Sequence, residues 1–117
     1  MICRLAVAII ASAAFVWPAM ATSIRCDIST KYACNRDGCT PNARTVWNLV
    51  DVDRSQYSRC DGKGCDEFQM VQSASGIFVN IDVPGRGVLA KMSRDGSLFV
   101  EVTTLADNVL VSFGACR

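Results

Sequence analysis

Apolar and polar residues alternate in short runs along most of the chain after Pro41. The clearest run lies between Gly76 and Val83, where every second residue is apolar: Ile77, Val79, Ile81 and Val83. A period of two is the pattern of a strand with one face buried. We therefore predict a strand over 76–83 that buries these four side chains.

A second run, from Leu98 to Leu105, can be divided into two faces. Leu98, Val100 and Val102 lie on one face, and the other face carries Phe99, Glu101 and Thr103. We expect Val100 and Val102 to be buried. The preceding Asp95-Gly96 is a strong hairpin signal.

Further short runs are separated by turn residues, and the additional strands are expected over 24–28, 44–52, 56–60, 65–72, 88–92 and 109–113. No stretch with helical periodicity is long enough to predict a helix. About eight strands at intervals of roughly 8 to 12 residues are typical of an antiparallel barrel or sandwich. Consecutive hairpins favour an up-and-down order, so we predict a small, disulfide-bonded all-β domain.

The N-terminal segment has the layout of an export signal. Arg4 precedes an apolar run from Leu5 to Trp17, Pro18 ends that run, and Ala19-Met20-Ala21 forms a small-x-small cleavage site. The run is shorter than the roughly 20 residues of a transmembrane helix. We predict a signal peptide over 1–21, one secreted or periplasmic domain over 22–117, and no stable membrane insertion after cleavage.

Cysteine spacing predicts the covalent framework. Of seven cysteines, Cys3 lies in the signal segment, which leaves six for an oxidising compartment. Two pairs flank glycine-containing loops of four residues, and the remaining two cysteines lie near the ends of the domain. Among fifteen possible pairings, spacing favours three bonds: Cys34–Cys39, Cys60–Cys65 and Cys26–Cys116. A four-thiolate zinc site is the alternative, but structural zinc more often uses C-x2-C pairs, so we expect no metal.

Charge argues against several classes of partner. The chain has 12 Lys and Arg against 11 Asp and Glu, and Arg4 belongs to the signal segment. The secreted domain is therefore formally neutral, and its charges are scattered along the sequence. A basic stripe for nucleic acid is lacking, as is a basic cluster for a lipid surface. We expect neither partner.

The chain contains no histidine, which excludes Ser-His-Asp and Cys-His catalysis and the usual histidine zinc sites. Phosphate-loop and dinucleotide motifs are also missing, so no cofactor is expected. Acid pairs remain, Asp51 with Asp53 and Asp66 with Glu67, and each lies at a predicted strand end where turn hydrogen bonding explains it. No EF-hand loop is complete. We assign no catalytic residue.

Two resemblances extend this interpretation. The stretch from Gly76 to Cys116, with its Phe99-Val100-Glu101-Val102 and Ser112-Phe113-Gly114-Ala115-Cys116 segments, resembles small secreted proteins of alphaproteobacteria, which implies export and no particular activity. The signal peptide, the small disulfide-bonded barrel and Ser75-Gly76 before an aromatic strand are similar to the periplasmic inhibitors of C-type lysozyme. This second likeness implies that Ser75 and Gly76 contact a protein target.

The functional prediction is a non-catalytic module that binds an envelope or extracellular protein, an inhibitor among the possibilities. Binding residues concentrate on loops held by a rigid scaffold, which makes four turn residues the candidates: Ser75, Gly76, Arg86 and Arg94. A carrier of small molecules or lipid is the alternative and requires a hollow barrel. A carboxylate-dependent hydrolase, the third possibility, requires two acids converging in a cleft.

Overall fold

The computed structural model describes residues 23–42 and 44–117, and the predicted signal segment 1–21 lies outside this part of the chain. The described residues form strands and turns without a helix. The strands are β1 (Ile24–Asn35), β2 (Gly38–Pro41), β3 (Trp47–Asp51), β4 (Gln56–Asp61), β5 (Gly64–Gln69), β6 (Val71–Ser75), β7 (Phe78–Val83), β8 (Val88–Ser93), β9 (Phe99–Thr104) and β10 (Val109–Cys116).

All ten strands belong to one antiparallel sheet that closes nearly into a barrel. Each strand from β3 to β5 and from β6 to β10 pairs with its neighbour in the chain, and β1 pairs with both β3 and β10. Strand β2 lies off this path as the second arm of a hairpin with β1. The predicted all-β, up-and-down fold is confirmed.

Strands β5 and β6 are two parts of one extended segment that bends at Met70. The first part pairs with β4 and the second with β7, so eight such segments form the barrel wall, close to the predicted number. The Met70 backbone amide donates to the Ser55 carbonyl at 2.9 Å, and the Gln72 side-chain Nε2 donates to the Val52 carbonyl at 2.7 Å. These bonds connect the bend to the β3–β4 turn and help to close the barrel.

Three disulfides have the pairing that spacing favours: Cys26–Cys116, Cys34–Cys39 and Cys60–Cys65. The first joins residues 90 positions apart, and its two cysteines are direct partners in the ladder between β1 and β10. The other two lie across the β1–β2 and β4–β5 hairpins. The first and last strands are therefore linked covalently where the sheet closes.

The barrel interior contains two chemically different groups of side chains. The apolar cluster consists of Cys26, Val50, Met70, Ile81, Val83, Val88, Ala90, Met92 and Phe99, all buried, and Tyr57 packs in it as well. The polar cluster consists of Lys31, Asn48, Tyr57, Arg59, Glu101 and Thr103, which come mainly from β1, β3, β4 and β9. An apolar core thus fills only part of the barrel.

The structure corrects two predictions of burial. On β9 the inward face is Phe99, Glu101 and Thr103, while Val100 and Val102 are half-buried on the outer face. Glu101 can be buried because residues of other strands donate hydrogen bonds to it, and the alternation within β9 does not reveal those donors. Ile77 is 68% exposed because it lies in the turn before β7, and Val79 is half-buried, whereas Ile81 and Val83 are buried as expected.

Candidate functional site

The two ends of the barrel carry different turns because successive antiparallel connections alternate between them. The β4–β5 and β7–β8 turns lie at one end with Asn42 and residues 44–46, and we call this the cleft end. The β3–β4, β6–β7 and β8–β9 turns lie at the opposite end, the far end. The polar cluster opens towards the cleft end.

Glu101 is the centre of the polar cluster. It is 2% exposed, and its carboxylate accepts hydrogen bonds from the Tyr57 hydroxyl, from Asn48 Nδ2 at 2.7 Å and from Thr103 Oγ1 at 3.3 Å. Arg59 Nε lies 3.8 Å from Glu101 Oε1. Three neutral donors and one cation therefore compensate the burial of this carboxylate.

Tyr57 is held in its protonated form by the same surroundings. Burial raises its pKa well above the usual value, and the negative charge of Glu101 raises it further. The phenol therefore remains a hydrogen-bond donor to Glu101 over the range in which the protein would work. Asn48 donates to both Glu101 and the Tyr57 oxygen, which fixes the geometry of the three side chains.

Lys31 lies beside this network without joining it. The ladder between β1 and β10 is irregular between Ile28 and Thr30, and beyond it Lys31 is the partner of Ser112, whose side chain is buried in the barrel. Lys31 is 7% exposed, and its ammonium group forms no hydrogen bond or ion pair with any described residue. Burial is the largest cause that lowers its pKa; Arg59 and Arg44 lower it further, and Glu101 partly opposes them.

A cleft of about 610 Å³ opens above these residues. Four cations and two acids belong to its lining: Lys31, Arg44, Arg59, Lys63, Asp61 and Asp66. A second cleft, of about 390 Å³, shares Lys31, Arg44 and Thr45 with the first. The arrangement can bind charged groups, with an excess of positive charge near the barrel interior.

The predicted turn residues are divided between the two ends. Ser75, Gly76 and Arg94 are exposed at the far end, where the Arg94 amide donates to the Ile77 carbonyl at 2.9 Å and ties the two turns together. Arg86 is exposed at the cleft end, with its guanidinium 5.0 Å from the centre of the Phe68 ring. The four residues therefore do not form a single surface.

Asp51, Asp66 and Glu67, from the acid pairs considered for catalysis, occupy turn and strand positions. Asp51 accepts a hydrogen bond from the Arg54 amide at 3.0 Å, as expected of a turn residue. Asp66 and Glu67 are successive residues of β5 and point to opposite faces of the sheet. Within residues 23–42 and 44–117, no group of three or more acidic or cysteine side chains is arranged to hold a metal ion.

Lys31, Arg59 and Glu101 are functional candidates that the sequence did not single out. An available signal was the single acid within the otherwise apolar Phe99–Val102 segment, since a carboxylate at that position faces either solvent or a buried set of donors. Lys31 and Arg59 have no comparable signal. They lie far from Glu101 in the chain and come close to it only through the register of the sheet.

The described part of the chain has no helix of the length and apolarity required to cross a membrane. In comparisons with known proteins, no family model, no curated protein and no solved structure matches the chain.

Proposed function

We propose that the protein is an exported, non-catalytic binding module that contacts its partner with the cleft end of the barrel. The observation that carries this proposal is the 610 Å³ cleft, whose charged lining includes Lys31 and Arg59 of the polar cluster. The adjoining turns are held on a rigid sheet, and the Cys60–Cys65 bond fixes the β4–β5 hairpin. Rigid placement lowers the entropy that binding costs.

Export is supported by the covalent framework. Three intramolecular disulfides are consistent with an oxidising environment outside the cytoplasm. The signal-like pattern of residues 1–21 favours the same compartment. An envelope or extracellular protein is therefore the proposed partner, with the domain acting in the periplasm or after secretion.

Packing favours surface binding over the carrier alternative. A carrier needs free volume inside the barrel, whereas Val50, Tyr57 and Phe99 are each 0% exposed and pack in the core with Met70 and Met92. Eight strands enclose little more than their own inward side chains. The hydrolase alternative is disfavoured because Glu101, the acid in the polar cluster, is held by four partners.

Affinity measurements with variants at the two ends test the proposal. Partners from envelope or extracellular fractions are first captured with the oxidised 22–117 domain, and their affinities are then measured. We expect Arg44→Ala and Lys63→Ala to weaken binding by about tenfold when combined, while Arg94→Ala leaves it unchanged. If the unmodified domain, the double variant and Arg94→Ala bound the partner with equal affinity, the result would contradict a binding site at the cleft end.

The far end is the second candidate surface. The hydrogen bond between Arg94 and Ile77 fixes the Ser75-Gly76 turn beside the β8–β9 turn, so three predicted residues form one exposed patch. The resemblance to lysozyme inhibitors makes C-type lysozyme the appropriate test target. If the unmodified domain inhibits lysozyme and the Ser75→Tyr and Arg94→Ala variants do not, the result favours the far end. If the unmodified domain leaves lysozyme activity unchanged, C-type lysozyme is excluded as the target.

A further inference from the structure

We infer that the cleft is a binding site for a phosphate group, held between Lys31, Arg44 and Arg59. This inference rests on the proposed function in placing binding at the cleft end, and it adds a phosphate-bearing ligand to the protein partner proposed there. Its primary evidence is the geometry of Lys31, a side chain more than nine-tenths buried that lines both clefts and has no hydrogen bond or ion pair within the described chain.

An unpaired buried ammonium is costly, and the neighbouring cations increase that cost. Arg59 and Arg44 are close enough to disfavour the charged form of Lys31, and the attraction of Glu101 does not compensate for burial and the Arg59 charge. Glu101 itself is already occupied by three hydrogen bonds and by Arg59. A bound anion would supply the missing partner.

Charge balance indicates the class of anion. Lys31 and Arg59 lie near one buried carboxylate, Glu101, and the exposed Arg44 lines the same cleft, so these four groups have an excess of two positive charges. A phosphate monoester carries roughly −1.5 to −2 charges at neutral pH, whereas a single carboxylate carries one. Two guanidinium groups and an ammonium also match the acceptor oxygens of a phosphate.

The remaining charges of the cleft lining are exposed and suit a larger ligand. Lys63, Asp61 and Asp66 belong to the β4–β5 hairpin that forms one wall of the cleft. These mixed charges can interact with polar groups attached to the phosphate, and they repel a ligand that is acidic throughout. A soluble phosphate ester and a phospholipid headgroup share the required chemistry, so the experiment includes both.

The test uses the oxidised domain and NMR titration of its backbone amides with inorganic phosphate, compared with chloride at equal ionic strength. We expect saturable shifts around Lys31, Arg44 and Arg59 and no such shifts with chloride. Lys31→Met and Arg44→Ala should each weaken phosphate binding by about 10- to 100-fold, the range expected for losing a charged hydrogen bond. Lys91→Met removes the same charge outside the cleft and should leave the affinity unchanged.

Glycerol phosphate and vesicles of phosphatidic acid then distinguish the two sources of phosphate, with phosphatidylcholine vesicles as the control. Preferential binding of either probe supports the site and identifies the source. Phosphate shifts that persist in both Lys31→Met and Arg44→Ala would overturn the inference, as would the absence of saturable shifts. Should a partner's affinity still depend on Arg44 and Lys63 in that case, the phosphate inference fails while the proposed binding end stands.

Discussion

The apolar and polar clusters both face the barrel interior, but the first consists of apolar side chains and the second of charged and hydrogen-bonded ones. The apolar cluster, most of which lies on β7, β8 and the start of β9, consists of side chains that need only to fill space. The polar cluster depends on Glu101 receiving donors from β3, β4 and β9 itself. Phe99 and Glu101 show the contrast most directly, since they are two residues apart on one face of β9.

This difference indicates separate roles. The burial of apolar surface stabilises a fold without requiring precise partners. A buried ion network is seldom a net source of stability, because desolvation offsets much of the attraction between its charges. The proposed binding at the cleft end would give Lys31 and Glu101 a role inside this small barrel that stability does not supply.

The largest effect is expected from the bond that links the first and last strands. Replacing both Cys26 and Cys116 with serine should lower the free energy of unfolding by about 4 to 5 kcal/mol, since this bond closes a loop of some 90 residues. Removing the Cys34–Cys39 bond in the same way should cost about 2 kcal/mol. Urea unfolding of the two variants provides the measurement, and equal losses would contradict this ranking.

The apolar cluster should be sensitive to loss of volume. Phe99→Ala is expected to cost about 3 to 5 kcal/mol, because the ring is fully buried and its removal leaves a cavity. Val100→Ala, on the outer face of the same strand, is the matched control and should cost much less. If thermal and urea unfolding gave the reverse order, the assignment of the inward face of β9 would be wrong.

The polar cluster should be sensitive to hydrogen bonding at nearly constant volume. Glu101→Gln replaces a carboxylate oxygen with a donor, and since Asn48 and Tyr57 already donate to this side chain, one buried group loses its partner. We expect a loss of about 1 to 3 kcal/mol. Leu110→Val, which changes side-chain volume elsewhere on the sheet, is the control for the general sensitivity of the fold. If Glu101→Gln left the free energy of unfolding unchanged, the network would not be formed.

The smallest expected effects appear at alkaline pH, where two members of the polar cluster act in opposite directions. The lowered pKa of Lys31 means that the folded state releases this proton first, so stability should rise as pH increases towards the ordinary lysine value of 10.5. Because the pKa of Tyr57 is raised, its protonated phenol contributes to the stability of the folded state at pH values below its ordinary pKa of 10.0. This contribution is lost as the pH rises through the pKa of the folded state.

Single substitutions separate these two titrations. Lys31→Met should remove the rise and Tyr57→Phe should remove the fall, as measured by urea unfolding at a series of alkaline pH values. Lys91→Met controls for the loss of one exposed lysine. Identical pH profiles for Lys31→Met and the unmodified domain would indicate that Lys31 is not buried in solution.

Local signals were sufficient for most of the strands and for the hairpin disulfides, whereas β2 and the part of β1 after Ile28 were not among the predicted strands. The alternation before Val83, the Asp95-Gly96 turn and the C-x4-C spacings each depend on residues that are close in sequence, and the structure contains the corresponding elements. The Cys26–Cys116 bond was also predictable, because a closed up-and-down sheet brings its first and last strands together. The split of β5 from β6 at Met70 was not predicted.

The sequence by itself determined an all-β, disulfide-bonded domain, because period-two alternation, turn residues and cysteine spacing are local properties. The tertiary structure decided which face of β9 is buried, since the stability of Glu101 inside depends on donors 44 and 53 residues away. It also decided that Arg86 and Arg94 lie at opposite ends, because adjacent turns of a meander alternate. Lys31, Arg44 and Arg59 come together only when the sheet closes, which is why the candidate site has no sequence motif.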